Sequence, residues 1–175
     1  MTAPTTHPVL TDRIGAAFRP GPYRLPDGRT LDSYFDPYRL ACDPVLLRET
    51  AAALAALLPP DTQAVAGPAL AAIPLVTALS LHTGLPTAYV RPAPKEHGTW
   101  RQIEGADLEG RLTVLIDDTA RTGTSLLRSA RLLRIAGAKV TAALCVLDRD
   151  AGATTLLTEH RMTLTTLLTD PGGDR

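Results

Sequence analysis

An α/β fold, a mainly parallel sheet with helices on both faces, is what this sequence predicts, on three observations. Short apolar runs alternate with segments of helical period along residues 63–168. The run Leu112–Ile116 is mostly apolar at successive positions, as in a strand buried on both faces. Glycines close two of the helical segments, Gly84 and Gly137, as αL caps do. Ligands of such sheets sit at the C-terminal ends of the strands.

Taken in order, residues 1–8 are rich in Thr and Pro and are expected to fray. Leu10, Ile14 and Phe18 recur at helical spacing and predict a short amphipathic helix. Pro20 to Asp27 carries Pro, Gly and Asp and reads as loop, followed by an extended piece around Ser33–Asp36. Asp43 is placed to cap a helix whose first residue is Pro44, running to Leu58 before Pro59-Pro60. A buried strand at Gln63–Ala66, a helix from Ala69 to His82 and a strand from Pro86 to Arg91 come next. A polar loop leads to Ile103. Beyond it lie the strand Leu112–Ile116, a helix Thr124–Ala136, a strand Lys139–Leu147, a helix Thr154–Arg161 and a strand Thr163–Leu168. No linker or repeat divides the chain, so 1–175 is expected to form one domain, with 1–40 as an N-terminal segment beside a 41–170 core.

Composition excludes several classes. Apolar residues make up 45% and charged residues 21%, with 18 basic and 18 acidic side chains. A net charge of zero gives no general attraction to nucleic acid or anionic membranes, so any anion site must be local. No apolar run approaches the roughly 20 residues of a membrane span, and the N-terminus lacks the basic and apolar regions of a signal peptide. Cys42 and Cys145 show no metal-ligand spacing and are expected to be buried, reduced thiols of a soluble cytoplasmic protein.

Two stretches carry chemistry. The first is Asp117-Asp118-Thr119-Ala120-Arg121-Thr122-Gly123-Thr124-Ser125, expected as a loop between strand and helix. Adjacent carboxylates at a strand end repel unless something accepts them. The vicinal hydroxyls of a ribose would do so. The Thr-Gly-Thr-Ser turn offers amides, hydroxyls and a helix N-terminus to a phosphate. The bland alternative is an ordinary strand-to-helix turn with Asp118 or Thr124 as cap; a Walker-type loop is excluded because no Gly-Lys-Ser/Thr follows. The second stretch, Tyr89–Gly105, holds Arg91, Lys95 and His97 in a Pro- and Gly-bounded loop. It reads either as a solvated surface loop or as a cationic lid over pyrophosphate.

Val114–Asp118 followed by Thr122-Gly123-Thr124 resembles the signature of type I phosphoribosyltransferases, although Thr119 and Arg121 depart from it. Arg91, Lys95, His97, Gly98 and Ile103-Glu104-Gly105 are similar to the catalytic loop of the orotate phosphoribosyltransferases, with Pro92 where many members have a second basic residue. Asp27-Gly28-Arg29 with Tyr34-Phe35-Asp36 resembles the family's base-pocket segment, with Pro26 where some members have Lys. Ala66–Ala69 is similar to the pyrophosphate-loop segment and Leu147-Asp148-Arg149 to the family's Leu-Asp-Arg.

The resemblance implies the type I phosphoribosyltransferase fold with a small N-terminal hood. It implies transfer of phosphoribosyl from 5-phosphoribosyl 1-pyrophosphate (PRPP) to orotate, giving orotidine 5′-monophosphate and pyrophosphate. On it, Lys95, His97, Asp117 and Asp118 are the catalytic candidates. Arg91, Lys95, His97 and Asp117 through Ser125, including Thr119, Ala120, Arg121, Thr122, Gly123 and Thr124, bind PRPP. Phe35, Arg121 and Arg149 hold orotate; Phe35 as a core residue and Arg149 in a surface ion pair with Asp148 or Asp150 stay open. Mg²⁺ enters through substrate oxygens, without a protein cage, and a homodimer is implied, with no nucleic-acid or membrane partner. Transfer to another nucleobase, and a non-catalytic PRPP-binding regulator, stay open as alternatives.

Overall fold

The computed structural model describes residues 8–24, 28, 30–96, 98 and 100–170. Among them a helix α1 (Pro8–Gly15) leads into an antiparallel hairpin, β1 (Phe18–Arg24) and β2 (Thr30–Phe35). Two further helices follow, α2 (Pro37–Ala41) and α3 (Pro44–Ala55). Then come β3 (Ala64–Pro68), α4 (Ala72–Thr83), β4 (Thr87–Val90), β5 (Ile103–Gly105), β6 (Leu112–Ala120), α5 (Thr124–Ile135), β7 (Lys139–Asp148), α6 (Ala153–Glu159) and β8 (Thr163–Thr169).

The main sheet has the order β5-β4-β3-β6-β7-β8, parallel throughout except for β5 at one edge. Successive residues of its central strands feed opposite faces. Val114 and Ile116 pack with Leu54 of α3 and Leu75 and Leu79 of α4, whereas Leu115 packs with Leu126 and Leu133 of α5 and Leu157 of α6. Both faces are thus covered, which is why these strands carry no polar alternation. α3 starts as its sequence dictates. The Asp43 carboxylate accepts the N–H groups of Val45 and Leu46 at 2.9 and 3.0 Å, and Pro44 occupies the first turn.

Several expectations need correction. Phe18 is not helical: α1 stops at Gly15, and Phe18 pairs with Phe35 in the hairpin. The stretch from Pro20, read as loop, is β1 as far as Arg24. Its prolines sit in a two-stranded edge with a register shift between Pro20 and Tyr23, where a missing N–H breaks no ladder. α3 ends at Ala55, three residues early, because Leu57 and Leu58 donate to Leu54 and Ala55 in tight turns. α2 and β5 were not anticipated; both are short, and β5 exists only through pairing with β4. Cys42 is exposed, not buried, since it caps α2 at the surface. Cys145 is buried, and burial pushes its thiol up to about 12, so it stays protonated. No described helix is long and apolar enough to cross a membrane.

Candidate active site at the C-terminal edge of the sheet

β6 continues past its apolar run. Asp117 faces Cys145 and Ala120 faces Asp148 in the β6–β7 register, so the two acids lie on the strand and the loop proper shrinks to Arg121–Gly123. Expecting all of Asp117–Ser125 to be loop missed this, because carboxylates are rare inside strands unless a site requires them. Asp117 is 6% exposed, and its Oδ1 accepts the N–H of Asp118 at 3.0 Å. The more open Asp118 accepts the Thr119 hydroxyl at 3.1 Å. Burial holds both carboxyls above the usual carboxylate range, and for Asp117 the charge of Asp118 adds to it. An acid pair held this way gains from any ligand that donates hydrogen bonds to it.

The turn after β6 is shaped for an anion. Gly123 takes the N-cap of α5 at φ 77°, and no side chain caps the helix. The first amides of α5 therefore point outward without a side-chain acceptor. The Thr122 and Thr124 hydroxyls lie 2.9 Å apart at the same mouth. Gly123 is required twice over: its φ is left-handed, and a Cβ there would stand 3.1 Å from Cα of Ala153. Behind the turn, Arg121 O accepts from Ala153 N at 3.2 Å and Ala120 O from Arg149 N at 2.8 Å, tying it to the end of β7. On the other side of β6, Gly67 closes β3 against the acids' strand; a Cβ there would meet Ile116 O at 2.6 Å.

The base-pocket candidates divide. Phe35 is 4% exposed and packs edge-on against Phe18, with ring centroids 5.3 Å apart. It belongs to the core and offers no face to a ligand, which corrects its assignment to orotate. β2 alternates, so with Leu31 and Phe35 turned inward Tyr34 is turned outward. Its hydroxyl is held above the usual phenol value, first by burial, then by the charges of Asp36 and Asp118. Period-two alternation would have chosen Tyr34 over Phe35 from sequence. Arg149, at the end of β7, is 5% exposed; one guanidinium nitrogen pairs with Asp170 at 3.3 Å, and the group lies 5.8 Å over the Phe18 ring. Its other terminal nitrogen has no hydrogen-bond partner among the described residues. A buried, unpaired guanidinium nitrogen is costly until an acceptor arrives.

The Arg91–Gly105 stretch folds back on itself. Arg91 N donates to Gln102 O at 2.9 Å and Lys95 N to Arg101 O at 3.1 Å, extending the β4–β5 pairing. Lys95 Nζ pairs with Glu104 at 2.5 Å, and this ammonium holds the Glu104 carboxyl below the usual carboxylate range. Arg91 and Pro92 line the same small cavity as Thr124 and Ser125, so this stretch and the phosphate turn share one cleft. His97, Pro26, Asp27 and Arg29 lie outside the described residues. Among those described, no three His, Cys, Asp or Glu side chains converge as a metal cage. A roomier cavity of about 640 Å³ lies between β5 and the C-terminal half of α5, away from the acids and largely apolar.

The family description "Phosphoribosyl transferase domain" matches residues 49–165, from within α3 to within β8. An orotate phosphoribosyltransferase of Methanopyrus kandleri is 40% identical over 87% of this chain and 82% of its own. That of Halobacterium salinarum is 38% identical over 90% of this chain and 89% of its own. The crystal structure of orotate phosphoribosyltransferase from Aeropyrum pernix superimposes with a TM-score of 0.78 at 36% identity, covering 92% of this chain and 91% of that one. The parallel sheet, the paired acids at the end of β6 and these relatives agree, and the chain belongs to the type I phosphoribosyltransferases, within the orotate phosphoribosyltransferase family.

Proposed function

We propose that this chain is an orotate phosphoribosyltransferase. It transfers the phosphoribosyl group of PRPP to orotate, yielding orotidine 5′-monophosphate and pyrophosphate for pyrimidine nucleotide synthesis. The observation that carries the reading is the buried Asp117–Asp118 pair delivered by β6 to an uncapped helix N-terminus. It occurs in a chain whose relatives of that name match it over most of its length.

In the reaction, N1 of orotate loses its proton and bonds to the anomeric carbon. The bond from that carbon to the pyrophosphate oxygen breaks, and its electron pair leaves with pyrophosphate. Displacement at an anomeric carbon runs through an oxocarbenium-like state, so the site's work is to align the reactants and to stabilise charge. Asp117 and Asp118 accept the ribose 2- and 3-hydroxyls and face the positive charge that develops on the ring. The turn Arg121–Ser125 binds the 5-phosphate, helped by the uncapped amides of α5. Arg91, Lys95 and His97 take the departing pyrophosphate, and for Lys95 this means exchanging Glu104 for the ligand. The open nitrogen of Arg149 and the Arg121 guanidinium hold orotate, and Tyr34 covers the base from β2.

Mg²⁺ would supply charge neutralisation of pyrophosphate through substrate and water oxygens; the hard carboxylate oxygens of Asp117 and Asp118 suit such waters. We further read residues 1–40 as a hood over a 41–170 core in one domain, and the working unit as a cytoplasmic homodimer.

Loss of orotate absorbance in the presence of PRPP and Mg²⁺ tests the function, with uracil, adenine and guanine run alongside. Orotate consumption with stoichiometric pyrophosphate release is expected. Turnover of another base in its place supports the alternative acceptor, and PRPP binding without turnover of any base supports a regulator.

A further inference from the structure

A cavity of about 180 Å³ opens where the ends of β3 and β4 face the first turns of α5. By water's share of liquid volume it holds about six waters, room for a phosphate group but not for a nucleotide. Arg91 enters from β4 and Arg128 from α5, and the hydroxyl-bearing residues Thr124, Ser125 and Ser129 line the wall between them. Among the described residues no Asp or Glu lines this space. Glu104, the acid whose charge Arg91 feels, is engaged by Lys95. The Nε of Arg91 is buried and has no hydrogen-bond partner among the described residues. Arg128 donates through one terminal nitrogen to the carbonyl of Pro92, which holds its guanidinium against the residue following Arg91.

Two arginines line one cavity with no described carboxylate on its wall, so an anion placed there gains from both. Pro92, beside Arg91, adds no charge. The second cation at this position comes instead from a helix, one turn past the phosphate turn. Helix-borne groups are held more firmly than loop-borne ones. Thr124 belongs both to this cavity and to the mouth it forms with Thr122, so the cavity offers an anion position adjoining the phosphate turn.

We propose that Arg128 is a pyrophosphate-binding residue of this chain, acting with Arg91 on the departing group of PRPP. This rests on the reading of the cleft as a PRPP site, not on the identity of the acceptor base. Arg128→Gln keeps a donor for the Pro92 carbonyl and removes the charge; Arg128→Lys keeps the charge. Pyrophosphate and ribose 5-phosphate are each titrated calorimetrically, with Mg²⁺, into the full-length parent and both variants. Expected is a loss of pyrophosphate affinity of about ten- to a hundredfold in Arg128→Gln, with recovery of most of it in Arg128→Lys. Ribose 5-phosphate should bind all three chains alike. Parent-like pyrophosphate binding by Arg128→Gln overturns the proposal, as does an equal loss for both ligands, which would mark a structural role. Orotate turnover by the parent is measured separately. If it fails while the pyrophosphate pattern holds, the acceptor assignment falls alone; if the parent binds neither ligand, the PRPP reading falls and takes this proposal with it.

Discussion

The end of β6 and the stretch that follows β4 lie at the same edge of the parallel sheet, yet they are held by opposite means. Asp117 and Asp118 sit inside a sheet, hydrogen-bonded to β7, with the following turn fastened to Arg149 and Ala153. Lys95 sits on a stretch that folds back on itself, and its charge is satisfied by Glu104 of the same stretch. The first region carries a standing electrostatic cost, two carboxyls in a buried place, that a ligand relieves. Lys95, in the second, is already paired and must give up that ion pair to engage one. A fixed, strained half suits the sugar, which must be positioned; a self-satisfied, exchangeable half suits a group that departs.

The sharpest way to break this contrast is to remove Lys95. Lys95→Ala is expected to lower kcat by about a hundred- to a thousandfold, and to leave Tm within about 1 °C, since only a partly exposed pair is lost. A fall in Tm with modest kinetic change would mean that Lys95 serves the fold. Steady-state kinetics and a thermal melt decide it.

Asp117→Asn should separate activity from stability in the other direction. A drop in kcat/KM of about a hundredfold is expected together with a rise of about 3 °C in the Tm of the ligand-free chain, because a costly buried charge disappears. The sign follows from the raised carboxyls. A group whose folded pKa is raised contributes stability that is present at low pH and is lost as pH rises through that pKa. The parent should therefore melt furthest below the variant at neutral pH, and the gap should shrink as pH falls toward the ordinary carboxylate range. A gap constant with pH would show that the acid pair is not the source.

How much of this was legible beforehand depends on what fixed each residue. Leu112–Ile116 and Lys139–Leu147 were legible as strands, because burial on both faces leaves a short apolar run rich in β-branched residues and bounded by turn signals. The order of acids, glycine and hydroxyls in Asp117–Ser125 was readable for the same reason: the chemistry is local in sequence. β1 was hidden, since its Pro and Gly are tolerated only by virtue of an edge that the sequence does not display. Tyr34 and Phe35 are told apart only by the period-two alternation of β2, which buries one and exposes the other. Arg128 gave no signal at all. One arginine in an amphipathic helix is ordinary, and only the approach of the β4 end to α5 gives it a place.

A smaller effect sharpens the acceptor side of the fixed half. Arg121 stands where the resemblance leads one to expect a small residue, on the turn fastened to Ala153. Arg121→Thr should weaken orotate binding by about tenfold through loss of a charge-assisted contact, leaving the KM for PRPP within about threefold. Orotate affinity equal to or better than the parent's would show that Arg121 crowds the base pocket.

The division between a fixed sugar site and an exchangeable departing-group site can be tested most directly by titrating ribose 5-phosphate, which carries the sugar and 5-phosphate but no pyrophosphate. Calorimetry on the parent, Lys95→Ala and Asp117→Asn should give equal affinities for the first two and at least about tenfold weaker binding for the third. Weakened binding by Lys95→Ala with parent-like binding by Asp117→Asn would contradict it.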